Sequence, residues 1–133
     1  MSLAVIDASV LTVFYASDDP RHAAVAARLG AGDALFAPAH MDVDVAYALR
    51  GLARRNPMVR AAVPGALSHL SGFPIRRMPL APMLQRIWEL HDYISPYDAA
   101  YVALAERLDG PLLTCDGKLT AATGSRCTFD LIT

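Results

Sequence analysis

Two short apolar runs, one near each end of the chain, stop at an aspartate. Leu3-Ala4-Val5-Ile6 ends at Asp7, and Leu112-Leu113-Thr114-Cys115 ends at Asp116. Each run has strand length without a polar alternation, the pattern of a strand inside a sheet covered by other layers. Ala34-Leu35-Phe36-Ala37, stopped by Pro38, predicts a second strand. Residues 75–80 predict a third, edge-like because of its flanking prolines and its arginines. Residues 127–131 predict the last. Between the strands the spacing predicts helices over residues 8–15, 22–29, 40–55, 57–70, 82–91, 97–108 and 118–122. Strands that alternate with helices imply parallel βα units. The expectation is a single α/β/α domain over residues 1–133, three layers deep, with a central, mainly parallel sheet flanked by helices.

A chain of 133 residues buries about two-thirds of its unfolded surface. Hydrophobic residues make up 54% and charged residues 19%, which leaves apolar surface over for a subunit or partner contact. The net charge of −1 gives no general attraction to nucleic acid, so any such contact must come from local basic groups. Arg50, Arg54 and Arg55 form one such cluster and Arg76 and Arg77 another, and ordinary solvated arginines explain both equally well. Cys115 and Cys127 show neither a CxxC spacing nor a disulfide framework, as expected of reduced thiols in a cytoplasm. The first residues lack the basic region of a signal peptide. The longest uncharged stretch, residues 61–75, is broken by prolines and glycines, so no membrane span is expected.

The positions of the acids point toward chemistry. In a parallel sheet ligands bind beyond the carboxyl ends of the strands, where Asp7 and Asp116 would project. Asp98, in Ser95-Pro96-Tyr97-Asp98, opens a helix with Ser95 as its N-cap, Pro96 in the first helical position and an acid in the third. Each acid also has a plain structural explanation: Asp7 as an N-cap, Asp98 as support for a helix start, Asp116 as half of an Asp-Gly turn. On the helix over residues 40–55, Asp42 and Asp44 flank the apolar face formed by Met41, Val45, Ala48, Leu49 and Leu52 almost symmetrically. Periodicity alone does not choose between them. Gathered carboxylates repel one another by roughly 4 kcal/mol per pair at about 4 Å and an effective dielectric near 20. A fold that collects them calls for a cation, and hard oxygen ligands suit Mg²⁺ or Mn²⁺.

The ordered set is more specific than any member. Val5-Ile6-Asp7-Ala8-Ser9, then Pro38 to Val45, then Ser95-Pro96-Tyr97-Asp98-Ala99-Ala100-Tyr101-Val102-Ala103-Leu104-Ala105, then Leu112 to Leu119 together resemble the PIN-domain ribonucleases. The resemblance is nearest to the VapC-type toxins of bacterial toxin–antitoxin pairs and spans essentially the whole chain. It implies a quartet of Asp7, Asp44, Asp98 and Asp116, and so selects Asp44 over Asp42. One departure stands out, because the family usually carries Glu where this chain has Asp44, one methylene shorter.

What the resemblance implies is hydrolysis of RNA phosphodiester bonds by an endoribonuclease dependent on Mg²⁺, with Mn²⁺ as a substitute. Asp7, Asp98 and Asp116 would hold the metal with Asp44 assisting, and the products would carry 5′-phosphate and 3′-hydroxyl ends. Ser9 and Thr114 are candidates to orient the carboxylates or a water. A homodimer and a cognate antitoxin covering the site are the partners it implies. The first helix, apolar nearly all round at Val10, Leu11, Val13, Phe14 and Tyr15, offers a surface for either.

The remaining special residues read structurally. His22, His40, His69 and His91 share no ligand spacing, and Trp88 and Tyr101 fit core or interface positions. Tyr97 is a candidate to stack on a base, and Lys118 to touch a phosphate. Two other classes compete with the nuclease: a catalytically weakened PIN-like module that binds RNA or a partner, suggested by Asp44, and a phosphorylatable receiver-type switch, which also gathers aspartates around Mg²⁺. The helix start at Ser95 argues against the receiver.

Overall fold

The computed structural model describes residues 2–133. Five strands form one sheet, all parallel: β1 (Leu3–Ile6), β2 (Ala34–Pro38), β3 (Ile75–Met78), β4 (Leu112–Thr114) and β5 (Phe129–Leu131), in the order β3-β2-β1-β4-β5. The helices are α1 (Ala8–Tyr15), α2 (His22–Leu29), α3 (Met41–Ala53), α4 (Pro57–Ser71), α5 (Leu84–Glu89), α6 (Pro96–Leu108) and α7 (Gly117–Thr120), with a 3-10 turn at Ala81–Met83 leading into α5. Receiver-like sheets run 2-1-3-4-5, so this strand order excludes that reading.

The order of the strands determines where the helices go. From β1 the chain steps outward twice, through α1 and α2 to β2, then through α3 and α4 to β3. It then crosses back over the sheet, through α5 and α6, to β4 on the other side of β1. Right-handed crossovers that travel in opposite directions lay their helices on opposite faces. Accordingly α1 packs against α2, α3 and α4, while α6 packs against α5 and lies along β1, β2 and β4. The travel reverses between β1 and β4, and the crevice at such a switch point is where open α/β sheets place ligands.

The central strands are apolar because both of their faces are covered. Ala4, Val5, Ile6, Leu112 and Leu113 have no exposure, and Val5 and Ile6 lie in register with Leu112 and Leu113. β3 is the edge strand its arginines suggested. The all-round apolar α1 is accounted for within the fold: Val10, Leu11 and Val13 are buried and the helix is enclosed by α2, α3, α4 and β4. Its composition therefore does not require a second chain. α6 is buried continuously from Ala99 to Ala105, where four alanines let it lie close to the sheet. Asp109 ends it in the left-handed conformation, φ 53°. Gly110 follows, and a Cβ there would require the Leu3 side chain on β1 to move aside.

Several boundaries moved. β5 begins at Phe129 rather than 127, and the helix expected over residues 82–91 is a 3-10 turn followed by a short α5. α4 is the longest helix, despite Pro64 in its interior. Pro64 is exposed. Trp88 is 66% exposed, so it is not a core residue; its indole stacks on His91 with ring centroids 3.8 Å apart. No helix among the described residues is long and apolar enough to cross a membrane.

Candidate active site

A cleft of about 570 Å³ opens at the carboxyl ends of β1 and β4, and Asp7, Asp44, Asp98 and Asp116 all line it. β1 delivers Asp7, the first turn of α3 delivers Asp44, the first turn of α6 delivers Asp98, and the bend after β4 delivers Asp116. The fold thus brings together all four acids of the expected quartet.

Asp7 occupies the N-cap position of α1, yet its side chain caps nothing. Its carboxylate is instead held from below. Ser9 Oγ donates to Asp7 Oδ2 at 2.6 Å and Thr114 Oγ1 donates to the same oxygen at 2.9 Å. Each hydroxyl in turn accepts a backbone N–H, Ser9 from Cys115 at 2.9 Å and Thr114 from Asp116 at 3.0 Å. A hydroxyl has one proton, so both protons are committed to Asp7, and the 3.3 Å approach of Ser9 to Thr114 is a contact between two acceptors' oxygens. Oδ1 receives no hydrogen bond among the described residues. Burial pushes the Asp7 pKa up; the two hydroxyls work against this, and the charges of Asp98 and Asp116 add to it.

Asp98 follows the expected cap. Ser95 Oγ accepts its backbone N–H at 3.2 Å and Pro96 starts the helix. The Asp98 pKa is also raised, by burial first and then by the charges of Asp116 and Asp44, with Ser95 and His40 opposing. Asp116 does act as a cap, its Oδ1 accepting the Lys118 N–H at 2.9 Å. Lys118 itself is exposed and not part of the cleft lining.

The ambiguity on α3 is resolved by arginine. Asp42 turns away to a bidentate pair with Arg77, whose Nε and Nη2 lie 3.1 and 3.0 Å from its two oxygens. Arg77 also donates to the carbonyls of Leu70, Phe73 and Ile75, so it is a strut, not a nucleic-acid contact. Asp44 turns into the cleft. There Tyr101, 1% exposed, donates its hydroxyl to Asp44 Oδ2 at 2.8 Å. His40 Nε2 lies 3.2 Å from the same oxygen and 3.0 Å from the Tyr97 carbonyl. Both neighbours of Nε2 are acceptors, so that nitrogen carries the hydrogen. Burial raises the Tyr101 pKa strongly, and the adjacent Asp44 charge adds to it, so the phenol stays a donor. Sequence reasoning placed Tyr101 in the core, which is right for its ring, and set His40 aside; neither has a local signal of its role beside Asp44.

The donor set suits a hard divalent cation: carboxylate oxygens from four elements, with Asp7 and Asp98 raised in pKa first by burial and then by the charges of neighbouring acids, Asp116 among them for both. Among the described residues no three His, Cys, Asp or Glu side chains stand close enough together to hold a metal ion as they are placed. Like charges without a cation between them are expected to stand apart.

Similarity to known proteins agrees with this geometry. The PIN-domain family model matches residues 4–124. Ribonuclease VapC12 of Mycobacterium tuberculosis is 38% identical over 128 residues, covering 96% of this chain and 98% of that relative. Among solved structures, VapC20 of Mycobacterium tuberculosis, described as a sarcin–ricin loop cleaving toxin, superposes with a TM-score of 0.69 at 19% identity, over 89% of this chain and 93% of that one. The toxin–antitoxin complex VapBC2 of Rickettsia felis, bound to a DNA fragment from its promoter, superposes at 0.66 with 8% identity, over 98% of this chain and 99% of that one. These two share the fold. With its acids at the switch point and its close VapC relatives, this chain belongs to the PIN-domain family, among the VapC ribonucleases.

Proposed function

We propose that the chain is a divalent-metal-dependent endoribonuclease, restrained in its cell by an antitoxin, with Mg²⁺ as the metal and Mn²⁺ as a substitute. The observation that carries this reading is the convergence of Asp7, Asp44, Asp98 and Asp116 on one cleft at the switch point of the sheet. Asp7, Asp98 and Asp116 would hold the metal. A bound divalent ion supplies an activated water and stabilises charge on the phosphate and the leaving oxygen. Ser9 and Thr114 fix the Asp7 carboxylate through Oδ2 so that Oδ1 faces its ligand already oriented. Tyr101 does the same for Asp44. With one oxygen committed to Tyr101 and His40, and a side chain one methylene shorter than Glu, Asp44 would assist through a bound water, orienting it as the other acids hold the ion. Kinship with VapC ribonucleases supports RNA as substrate, and likeness to a VapBC complex supports an antitoxin partner; a homodimer and a cytoplasmic setting are proposed on the VapC kinship. The test is cleavage of single-stranded RNA by the purified protein with Mg²⁺, lost with EDTA and with Asp98→Asn. Cleavage that persists in EDTA would contradict it.

One observation favours a second reading. The commitment of Asp44 Oδ2 to Tyr101 and His40 suits a PIN-like module that binds RNA or a partner without cutting it. Wild-type protein that is inert with Mg²⁺, together with activity in Asp44→Glu, would select this reading.

A further inference from the structure

The cleft has a rim as well as a floor, and the rim carries different chemistry. Five carboxylates line it, the four of the quartet plus Asp19, and among the described lining residues Arg21 is the one cation. Arg21 sits in the loop between α1 and α2. Its Nε and Nη2 form a fork with Asp19 at 3.0 and 2.9 Å, and its Nη1 donates to the Cys115 carbonyl at 3.1 Å. A guanidinium has five N–H donors, so two remain unspent. The fork fixes the plane of the group, which reduces what it loses on gripping a further anion.

Two tyrosines complete the rim. Tyr47 lies on α3 three residues beyond Asp44, and Tyr97 immediately precedes Asp98 on α6. Both line the cleft, and they are 72% and 68% exposed. Neither ring packs into the hydrophobic core. Tyr97 leans on His40 with ring centroids 6.1 Å apart. Exposed aromatic rings that line the cleft from α3 and α6, with a guanidinium braced by Asp19, match the parts that hold a single strand: stacking faces for bases and a donor fork for phosphate.

We propose that Arg21, Tyr47 and Tyr97 grip single-stranded RNA across the cleft, Arg21 on a backbone phosphate and the two tyrosines stacked on the bases that flank the cut. The proposal rests on the nuclease reading above and adds the residues that seat the strand. Duplex RNA offers no free base faces to the tyrosines. In a cleft this acidic, Arg21 is the group that attracts the backbone at the rim while the acids serve the metal at the floor. The stacked bases set the register of the strand.

The experiment measures fluorescence anisotropy of a labelled single-stranded oligoribonucleotide in EDTA, so that binding is read apart from cleavage. The single strand should bind well above the same sequence as a duplex. Tyr47→Ala and Tyr97→Ala should each weaken binding about fivefold or more, while Tyr47→Phe and Tyr97→Phe keep the stacking and the affinity. Arg21→Gln keeps an N–H donor for the Cys115 carbonyl but removes the charge. It should weaken binding and flatten the plot of log affinity against log salt by about 0.7, the single-strand slope for one phosphate contact. The tyrosine variants should leave that slope unchanged. Equal affinity for single and double strands, no binding by the wild type, an unchanged slope in Arg21→Gln, or losses confined to antitoxin binding would each overturn the proposal. RNA binding with these losses but no cleavage in Mg²⁺ would keep the grip and remove the nuclease reading.

Discussion

Thr114→Val tests the support beneath Asp7. The two side chains have nearly the same shape, and position 114 is fully buried, so the change removes a hydroxyl and little else. Two hydrogen bonds disappear. The bond to the Asp7 carboxylate is charge-assisted and contributes about 1.5–3 kcal/mol, and the one accepted from the Asp116 N–H contributes about 0.5–1.5 kcal/mol. Asp116 is only half-buried, so water replaces part of the second, and the new methyl gains up to about 0.8 kcal/mol. The net expectation is a loss of about 1–3 kcal/mol in EDTA at neutral pH, which for a chain of this size lowers Tm by roughly 3–5 °C per kcal/mol.

The pH dependence gives the sharper signature. Asp7 already has a folded pKa above its ordinary value of 3.8. For such an acid the folded state binds the proton more tightly than the unfolded chain. Its favourable contribution is present below the unfolded value and is lost as pH rises through the folded pKa. Removing one of the two hydroxyl donors raises the Asp7 pKa further. The deficit of Thr114→Val should therefore be smallest near pH 4 and grow toward pH 7. Urea unfolding of both proteins across that range, in EDTA, measures it. A deficit that is flat with pH, or larger in acid, would refute the account of how Asp7 is held.

Three further outcomes follow from the same geometry. Asp7→Asn and Asp98→Asn should each raise the Tm of the metal-free protein at neutral pH, because the wild-type acids, with raised pKa values, cost stability when ionised; a fall in Tm in both would contradict this. Mg²⁺ at about a hundredfold over its Kd should stabilise wild type by about 2.7 kcal/mol and do so far less for Asp98→Asn and Asp44→Asn, whereas Asp42→Asn should lose about 1 kcal/mol through its half-exposed pair with Arg77 and keep the full Mg²⁺ response; thermal melts with and without Mg²⁺ separate the two acids. Tyr101→Phe should cost about 1.5–3 kcal/mol and weaken the Mg²⁺ response several-fold by freeing Asp44, and an unaltered Mg²⁺ titration would show that the phenol does not position that acid.

The parts legible in the sequence are those with local causes. Ser95, Pro96 and Asp98 form a helix start from neighbouring atoms alone, and the structure reproduces it residue for residue. The apolar runs before Asp7 and Asp116 declared buried strands because all their residues but Leu3 and Cys115 are buried beneath a covering layer. By contrast, whether Asp42 or Asp44 enters the cleft depends on Arg77, 35 residues further on in the chain. No helical wheel contains that information. Asp7 had the local context of an N-cap, and only its contacts with Ser9 and with Thr114 across the β1–β4 junction reveal that the cap is not used. Trp88 shows the opposite: its pattern fits a core or interface position, and only the core half fails, because the short α5 buries Ile87 and leaves Trp88 exposed. Arg21 gave no signal, since its loop reaches the cleft only when α1 folds back along β4.

The most direct test of the central claim is an anomalous-scattering map from crystals of this protein grown with Mn²⁺. The account predicts a peak in the cleft coordinated by Asp7, Asp98 and Asp116, and its loss in Asp98→Asn. A cleft without a peak at saturating Mn²⁺, or a peak held by other residues, would contradict it.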